Sequence, residues 1–232
     1  MTDYLFDPLP APALPVSGES KAFPVNRIFC VGRNYVAHAE EMGQEVDREA
    51  PFYFTKSPAA VVMTGATTPY PPGTDDFHHE MEFVVAIGAP AYKVSGAAAM
   101  EAVFGYGAGL DMTRRDLQLR ERAKQRPWSL GKDFAGSAVL APLTRAAAFG
   151  APGPQTIRLA VNGETRQEAV LDLMVWKTEE IIAHLSGFYA LGPGDLIMTG
   201  TPAGVGPVGP GDRLEGSIDG LAPVSLTIGP AD

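Results

Sequence analysis

Two acids one residue apart at the head of an apolar run are the first chemistry this chain offers. His78-His79-Glu80-Met81-Glu82 leads straight into Phe83-Val84-Val85-Ala86-Ile87. Read as a strand, the segment puts Glu80, Glu82, Val84 and Ala86 on one face and Met81, Phe83, Val85 and Ile87 on the other, because successive strand side chains alternate. Both faces are apolar past Glu82, so the strand is expected to be buried on two sides with its acids at one end. Two carboxylates about 7 Å apart there raise each other's pKa unless a cation sits between them. The pair asks for a metal or an arginine; the alternative is a solvated, frayed strand start. Asp111 is a third acid, at the end of the small-residue strand Tyr106 to Leu110. Three hard oxygen donors suit Mg²⁺ or Mn²⁺ rather than zinc, which favours His or Cys. His78 and His79 face opposite ways, so at most one joins such a site, and both read better as supports or surface residues.

Other groups fit chemistry beside those acids. His38 and Glu41 are three residues apart on a short helix, where the acid can fix the imidazole tautomer and raise its basicity, giving a water-activating dyad. The competing reading is a surface His-Glu pair. Arg115 and Gln118 share a helix face just after Asp111 and could grip a carboxylate and a carbonyl; alternatively Arg115 is one more charge on a solvated helix, beside Glu121. Lys132, among Gly131, Asp133 and Phe134, is poorly placed for a purely solubilising role and could stabilise an oxyanion. Thr199-Gly200-Thr201-Pro202-Ala203-Gly204-Val205-Gly206 lacks the lysine and the following helix of a phosphate-binding loop. It reads as a glycine-rich wall that lets backbone N–H groups approach a substrate, or as a plain surface loop.

The elements that must position these groups are short. Residues 1–25 form a Pro- and Ala-rich arm, extended and loosely packed, that could cover an edge strand; 26–232 read as a single catalytic domain. Strands are expected at Arg27–Val31, Phe52–Thr55, Ala60–Met63, through the acidic segment, and at Tyr106–Leu110. A short helix capped by Asn34 runs to Gly43, residues 44–51 form a loop, and Pro69 to Gly73 form another. Helices are expected over 95–104 and from Arg114 to Lys124, the latter capped by Thr113 and stopped by Pro127. Ile157–Val161, Asn162-Gly163 and Thr165–Val170 give the strongest hairpin signal. A helix over Thr178–Leu185, a strand at Leu196–Met198 and two strands around an Asp219-Gly220 turn complete the chain. The fold class is mostly β with short helices (α+β), its sheets curled round one another.

Composition narrows the partners. The chain has 232 residues, 45% of them hydrophobic, enough for a proper core. A net charge of -9 argues against nucleic acid, though a local cluster of arginines can still hold an anionic substrate. A single cysteine, Cys30, fits a reducing compartment. No apolar run spans a bilayer and the N-terminal stretch has no signal-peptide pattern, so a cytoplasmic protein with no membrane partner is expected.

Taken together, several motifs in order resemble the fumarylacetoacetate hydrolase family. They are Arg33-Asn34-Tyr35 with His38 and Glu41, Glu80-Met81-Glu82, Gly109-Leu110-Asp111-Met112-Thr113-Arg114-Arg115-Asp116-Leu117-Gln118, Pro127-Trp128 with Lys132, and Met198-Thr199-Gly200-Thr201-Pro202-Ala203-Gly204-Val205. The resemblance runs from about residue 26 to the C-terminus. It implies that family's mixed β-roll, usually as a homodimer. It also implies Mg²⁺ or Mn²⁺ held by Glu80, Glu82 and Asp111, and His38 and Glu41 on a lid that orders over substrate. Lys132, Arg115, Gln118 and Thr201, with Arg33 and Tyr35, fall at substrate-side positions. Where relatives often read Lys-x-Phe-Asp, this chain has Lys132-Asp133-Phe134-Ala135, which removes the acid after the Phe but not the lysine. The implied reaction is metal-dependent hydrolysis of a C–C bond in an acylpyruvate, fumarylpyruvate foremost, a substrate of gentisate breakdown. Alternatives are oxaloacetate decarboxylation, isomerisation of a dienedioate, or a catalytically silent binding protein. A second arginine for a far carboxylate could be Arg33, Arg114 or Arg122, and the sequence does not choose.

Overall fold

The computed structural model describes residues 3–7, 10–43 and 48–231. Its largest element is a mixed eight-stranded sheet. Across it run Phe52–Lys56, Arg27–Gly32, Asp195–Met198, Met81–Ile87, Val103–Asp111, Ala138–Leu140 and Val61–Met63, and Thr144–Arg145 also pairs with Val103–Asp111. The strands at its two ends, Phe52–Lys56 and Val61–Met63, are joined only by Ser57 and the 3-10 turn Pro58–Ala60. Seven flat strands would separate those ends by roughly 30 Å. A link this short reaches no more than roughly 18 Å. The sheet is therefore rolled, as the mostly β reading anticipated.

A five-stranded sheet packs on the roll. Its order is Glu164–Val170, Thr156–Val161, Arg213–Ile218, Val224–Ala231, Ala66–Tyr70. A three-stranded sheet of Thr113–Arg114, Phe77–His79 and Gly206–Pro207 lies beside the acidic strand. Met81–Ile87 is buried along its whole length. Its residues Met81, Phe83, Val85 and Ile87 pack with Tyr106, Ile157, Leu159, Leu214 and Leu226. Val84 and Ala86 enter a second cluster with Ile28, Cys30, Leu140 and Leu196. Two apolar faces at period two thus produce a strand between two cores, each large side chain contributing about 1.5–3 kcal/mol.

From Ala13 to Val25 the N-terminal arm is extended and packed, while Tyr4, Leu5 and Phe6 are exposed as a loose arm would have them. Ala13–Leu14 pairs with Phe23–Pro24, and Leu14, Val16, Phe23 and Val25 are buried in the second cluster. Its few apolar residues alternate with Pro and Ser, so one side of an extended segment suffices to seal the roll.

Most expected elements form, including the hairpin, where Asn162 and Gly163 take φ of 54° and 81°, and the helix Thr178–Ser186. Four expectations differ. The helix expected over 95–104 is the single turn Ala97–Glu101, because Val103 and Phe104 are drawn into the long strand Val103–Asp111 against Met81–Ile87. Ala66–Tyr70, read as a run into a proline loop, is an edge strand parallel to Val224–Ala231, a place that tolerates Pro69. Asn34 does not cap the helix Val36–Glu41; its side chain donates to Thr199 O (2.8 Å) and Trp176 O (3.0 Å) instead. Thr113 lies in a short strand, and its hydroxyl donates to Asp111 O rather than capping Arg115–Ala123. The expected loop over 44–51 falls partly outside the described residues. No helix among those described is long and apolar enough to cross a membrane.

Candidate active site

The acidic strand is interrupted at the residue that matters. Glu80 is the single residue between Phe77–His79, which belongs to the three-stranded sheet, and Met81–Ile87, which belongs to the roll. Glu82 lies opposite Gly109 in the antiparallel pair, so no side chain faces it there. The Asp111 N–H donates to Glu80 O at 2.8 Å, which fixes the third acid beside the first. The three carboxylates each offer an oxygen within 4.8 Å of the others, and all three residues are buried. Alternation on one strand and register with its neighbour assemble the set.

Three cations already touch it. Lys132 Nζ lies 2.7 Å from Glu80 Oε2, from Asp111 Oδ2 and from Thr113 Oγ1. An ammonium has three protons, so every donor of Lys132 is engaged, and it offers a neighbouring oxyanion its charge rather than a free N–H. Arg115 donates to Glu80 Oε1 and to Gln118 Oε1, both at 2.5 Å, and not to Glu121, which pairs with Arg120. The sequence reading missed the third cation, Lys56, whose fully buried Nζ is 2.8 Å from Asp111 Oδ1. Lys56 also donates to Lys132 O, tying the two lysines together. Burial alone would raise the Glu80 pKa, but Lys132 and Arg115 more than offset it and hold Glu80 ionised. Glu82 has no such partner. Burial, then Asp111 and Glu80, push its pKa well up, against one N–H from Gly200 at 2.8 Å.

His38 stands on the other side. Its Nδ1 is 3.3 Å from Glu41 Oε2, and Glu41 in turn accepts from the Gly204 N–H at 3.1 Å. Burial lowers the His38 pKa below its usual 6.5, with Glu80 opposing, so the ring is neutral and can accept a proton at neutral pH. Of the glycine loop only Thr201 lines the cavity, and the N–H groups of Gly200 and Gly204, expected to face a substrate, hold acids of the site instead. Gly200 has φ of 97°, and a Cβ there would lie 2.8 Å from Asn34 Cβ, so only glycine brings that N–H to Glu82. A second missed residue, Gln167, holds the loop and the acidic strand together. Its Oε1 accepts from Met81 N at 3.0 Å and lies 3.1 Å from His79 Nδ1, while its Nε2 donates to Thr201 Oγ1 and Pro202 O, both at 2.8 Å. The clue for both missed residues is a polar residue on an inward face of an alternating strand, Lys56 after Phe52 and Phe54, and Gln167 in line with Ala169.

One narrow cavity of about 40 Å³ brings these groups together. Glu80, Glu82, His38, Arg115, Gln118 and Lys132 line it, and so do Arg33 and Thr201. Asp111 lies behind Lys132, and Glu41 behind His38. Tyr35 is not on the wall: it is buried in the larger core, with a hydroxyl that lacks a hydrogen-bond partner. His79 is buried against Gln167, and His78 sits between Asp76 (2.8 Å) and Arg115, so neither joins the acids. The acid set fits a hard divalent cation. Lys56 meets Asp111 Oδ1 at 2.8 Å, whereas the buried Glu82 carboxylate has one backbone N–H and no cation among the described residues, so Glu82 is the acid a divalent cation would satisfy.

A rolled mixed sheet carrying three buried, converging carboxylates that could hold a metal ion fits a class of metal-dependent enzyme. The family model described as fumarylacetoacetate hydrolase C-terminal matches residues 27–228. The chain belongs to the fumarylacetoacetate hydrolase family. It is 51% identical to a fumarylpyruvate hydrolase from a Ralstonia species over 193 residues, 82% of this chain and all of that one. It is 39% identical to an oxaloacetate tautomerase of Escherichia coli, over 85% of this chain and 90% of that one. Among solved structures, the fumarylpyruvate hydrolase of Pseudomonas aeruginosa in complex with Mn²⁺ and pyruvate matches with a TM-score of 0.94 and 46% identity, over 98% of this chain and 100% of that one.

Proposed function

We propose that this chain hydrolyses fumarylpyruvate to fumarate and pyruvate. The observation that carries the reading is the convergence, in one small cavity, of a hard-oxygen cation site, a paired guanidinium and amide, and a neutral histidine backed by an acid. The identity to fumarylpyruvate hydrolases supports the substrate, and the relative's Mn²⁺ supports Mn²⁺ or Mg²⁺ on Glu80, Glu82 and Asp111. A homodimer working in the cytoplasm on a product of gentisate breakdown completes this reading and rests on family resemblance.

A cation held by the three acids would supply Lewis-acid stabilisation of the negative charge left on the pyruvate fragment. Arg115 and Gln118 orient the pyruvoyl carboxylate, with Arg33 and Thr201 on the same wall. His38, held by Glu41, takes a proton from the water that adds to the distal carbonyl carbon. The resulting oxyanion forms near the fixed charge of Lys132. Its collapse breaks the bond between that carbon and the methylene, releases fumarate, and sends the electron pair to the pyruvate fragment, which takes a proton at the methylene carbon. Water supplies the hydroxyl of one product and the hydrogen of the other.

The oxaloacetate tautomerase relatives favour a second reading, in which no water attacks. Incubating the Mn²⁺-loaded protein separately with fumarylpyruvate and oxaloacetate decides between them. Stoichiometric fumarate and pyruvate are expected from the first, with slow enol-keto exchange and little CO₂ from the second. Rapid oxaloacetate turnover without fumarate release would transfer the assignment to the second reading. The pH profile adds a check on His38. Since its pKa is lowered, the base form is present above the usual histidine range and is lost only as pH falls through a value below 6.5. The acid limb of kcat/KM is expected below pH 6.5 and should disappear in His38→Gln.

A further inference from the structure

We propose that Arg122 binds the far carboxylate of a dicarboxylic substrate and so selects acyl chains ending in a carboxylate over those ending in a methyl. The inference deepens the acylpyruvate reading above and rests on it for the orientation of the substrate. Arg115, Gln118 and Arg122 fall at i, i+3 and i+7 on one helix face, and all three line the inner cavity. Arg122 is two turns beyond Arg115, about 10 Å along the axis at 1.5 Å per residue. That separation suits a ligand with one carboxylate at the pyruvoyl end and another as the last carbon of a four-carbon acyl group.

Arg122 sits where the inner cavity opens into a groove of about 550 Å³, lining both. Phe54 and Trp128 line the same junction, with ring centroids 5.8 Å apart, and offer flat apolar walls to a planar unsaturated chain. The neighbouring arginines are committed elsewhere. Arg120 pairs with Glu121 at 2.9 Å, and Arg126 approaches the same acid at 3.9 Å. The Arg114 guanidinium lies 4.2 Å from the Phe134 ring centroid and donates to Leu130 O, off the cavity wall. Arg33 also lines both cavities, but its guanidinium lies over the Phe52 ring at 5.7 Å and it is not on the helix face of Arg115 and Gln118. Arg122 is half-buried and has no ion pair among the described residues. A partly exposed guanidinium with no ion pair among the described residues, at the far end of a cavity whose near end is built for a 2-oxo acid, is a site for a second carboxylate.

The test uses two non-cleavable ligands of equal length. 2-Oxoheptanedioate carries a carboxylate at both ends, and 2-oxoheptanoate ends in a methyl. Calorimetric titration of each into the Mn²⁺-loaded full chain is expected to show tighter binding of the diacid. Arg122→Gln should weaken the diacid roughly 10- to 100-fold and leave the monoacid within about twofold. Arg122→Lys should keep part of the preference. Arg126→Gln, altering an arginine of the outer groove only, should change neither ligand. Monoacid binding reports that each variant is folded, and loss of the diacid preference by Arg126→Gln to the same extent would reduce the effect to general surface charge and overturn the proposal. Equal weakening of both ligands by Arg122→Gln, or no weakening of either, would also overturn it. Fumarylpyruvate turnover by the unaltered enzyme is scored separately, so failure of the reaction reading is seen independently of Arg122.

Discussion

Chelation and dialysis of the enzyme will lower fumarylpyruvate cleavage by roughly 10³-fold or more, and Mn²⁺ or Mg²⁺ will restore it, since Lewis-acid stabilisation of several kcal/mol corresponds to a tenfold rate change per about 1.4 kcal/mol. The charge count of the site predicts that the protein also folds without metal. Lys56, Lys132 and Arg115 bring three positive charges into contact with Glu80 and Asp111, and the raised pKa of Glu82 favours its neutral form when no metal is bound. The balance is unevenly shared, because Glu80 and Asp111 take all the direct pairs and Glu82 receives one backbone N–H. Glu82→Gln is therefore expected to leave the metal-free protein about as stable as before, because the raised pKa already favours a neutral side chain there and the amide is neutral too. The same change should abolish the rise in Tm that Mn²⁺ gives the unaltered protein. Full turnover after exhaustive chelation would sink the cation site, whatever the thermal measurements show.

Replacing His38 by Ala should lower kcat by a factor of roughly 10² to 10⁴, the usual contribution of a positioned general base. The Mn²⁺-induced rise in Tm should persist, because His38 touches Glu41 and none of the three acids. That split separates a proton-transfer role from a structural one. Turnover near the unaltered rate in His38→Ala would remove the water-activating dyad and leave a metal-centred enolisation as the chemistry of the cavity.

How much of this was legible in the sequence depends on distance along the chain. Glu80 and Glu82 announced themselves through alternation, Arg115 and Gln118 through helical spacing, and the Asn162-Gly163 turn through its backbone preference. Each of these signals is local. Asp111 could be added because it ends a strand of small residues, although its register against Glu80 lies outside any local pattern. Lys56 leaves only a faint local sign, a charge in line with Phe52 and Phe54, and its partner Asp111 is reached through the fold alone. Gln167 reaches Thr201 and His79 from a different sheet. Asn34 and Thr113 misled because they have the right side chains for helix caps, yet long-range partners at Thr199, Trp176 and Lys132 compete for them. Lys132 reads in the sequence as an oxyanion stabiliser, and only the fold shows that two acids and a hydroxyl surround its ammonium.

The position of Asp195–Met198 has a consequence for how the molecule comes into being. This strand lies between Arg27–Gly32, which it pairs in parallel, and Met81–Ile87, which it pairs antiparallel. During synthesis the two outer strands exist long before the one that separates them, and Arg27 waits for Asp195 across 168 positions. Contacts of such high order close late and slowly. Until they close, a nascent chain carries two unpaired sheet edges in its interior, the kind of surface that invites chaperones or misassembly. The glycine loop that fastens Glu82 and Glu41 emerges only after that strand, so the catalytic cavity is completed among the last events of folding.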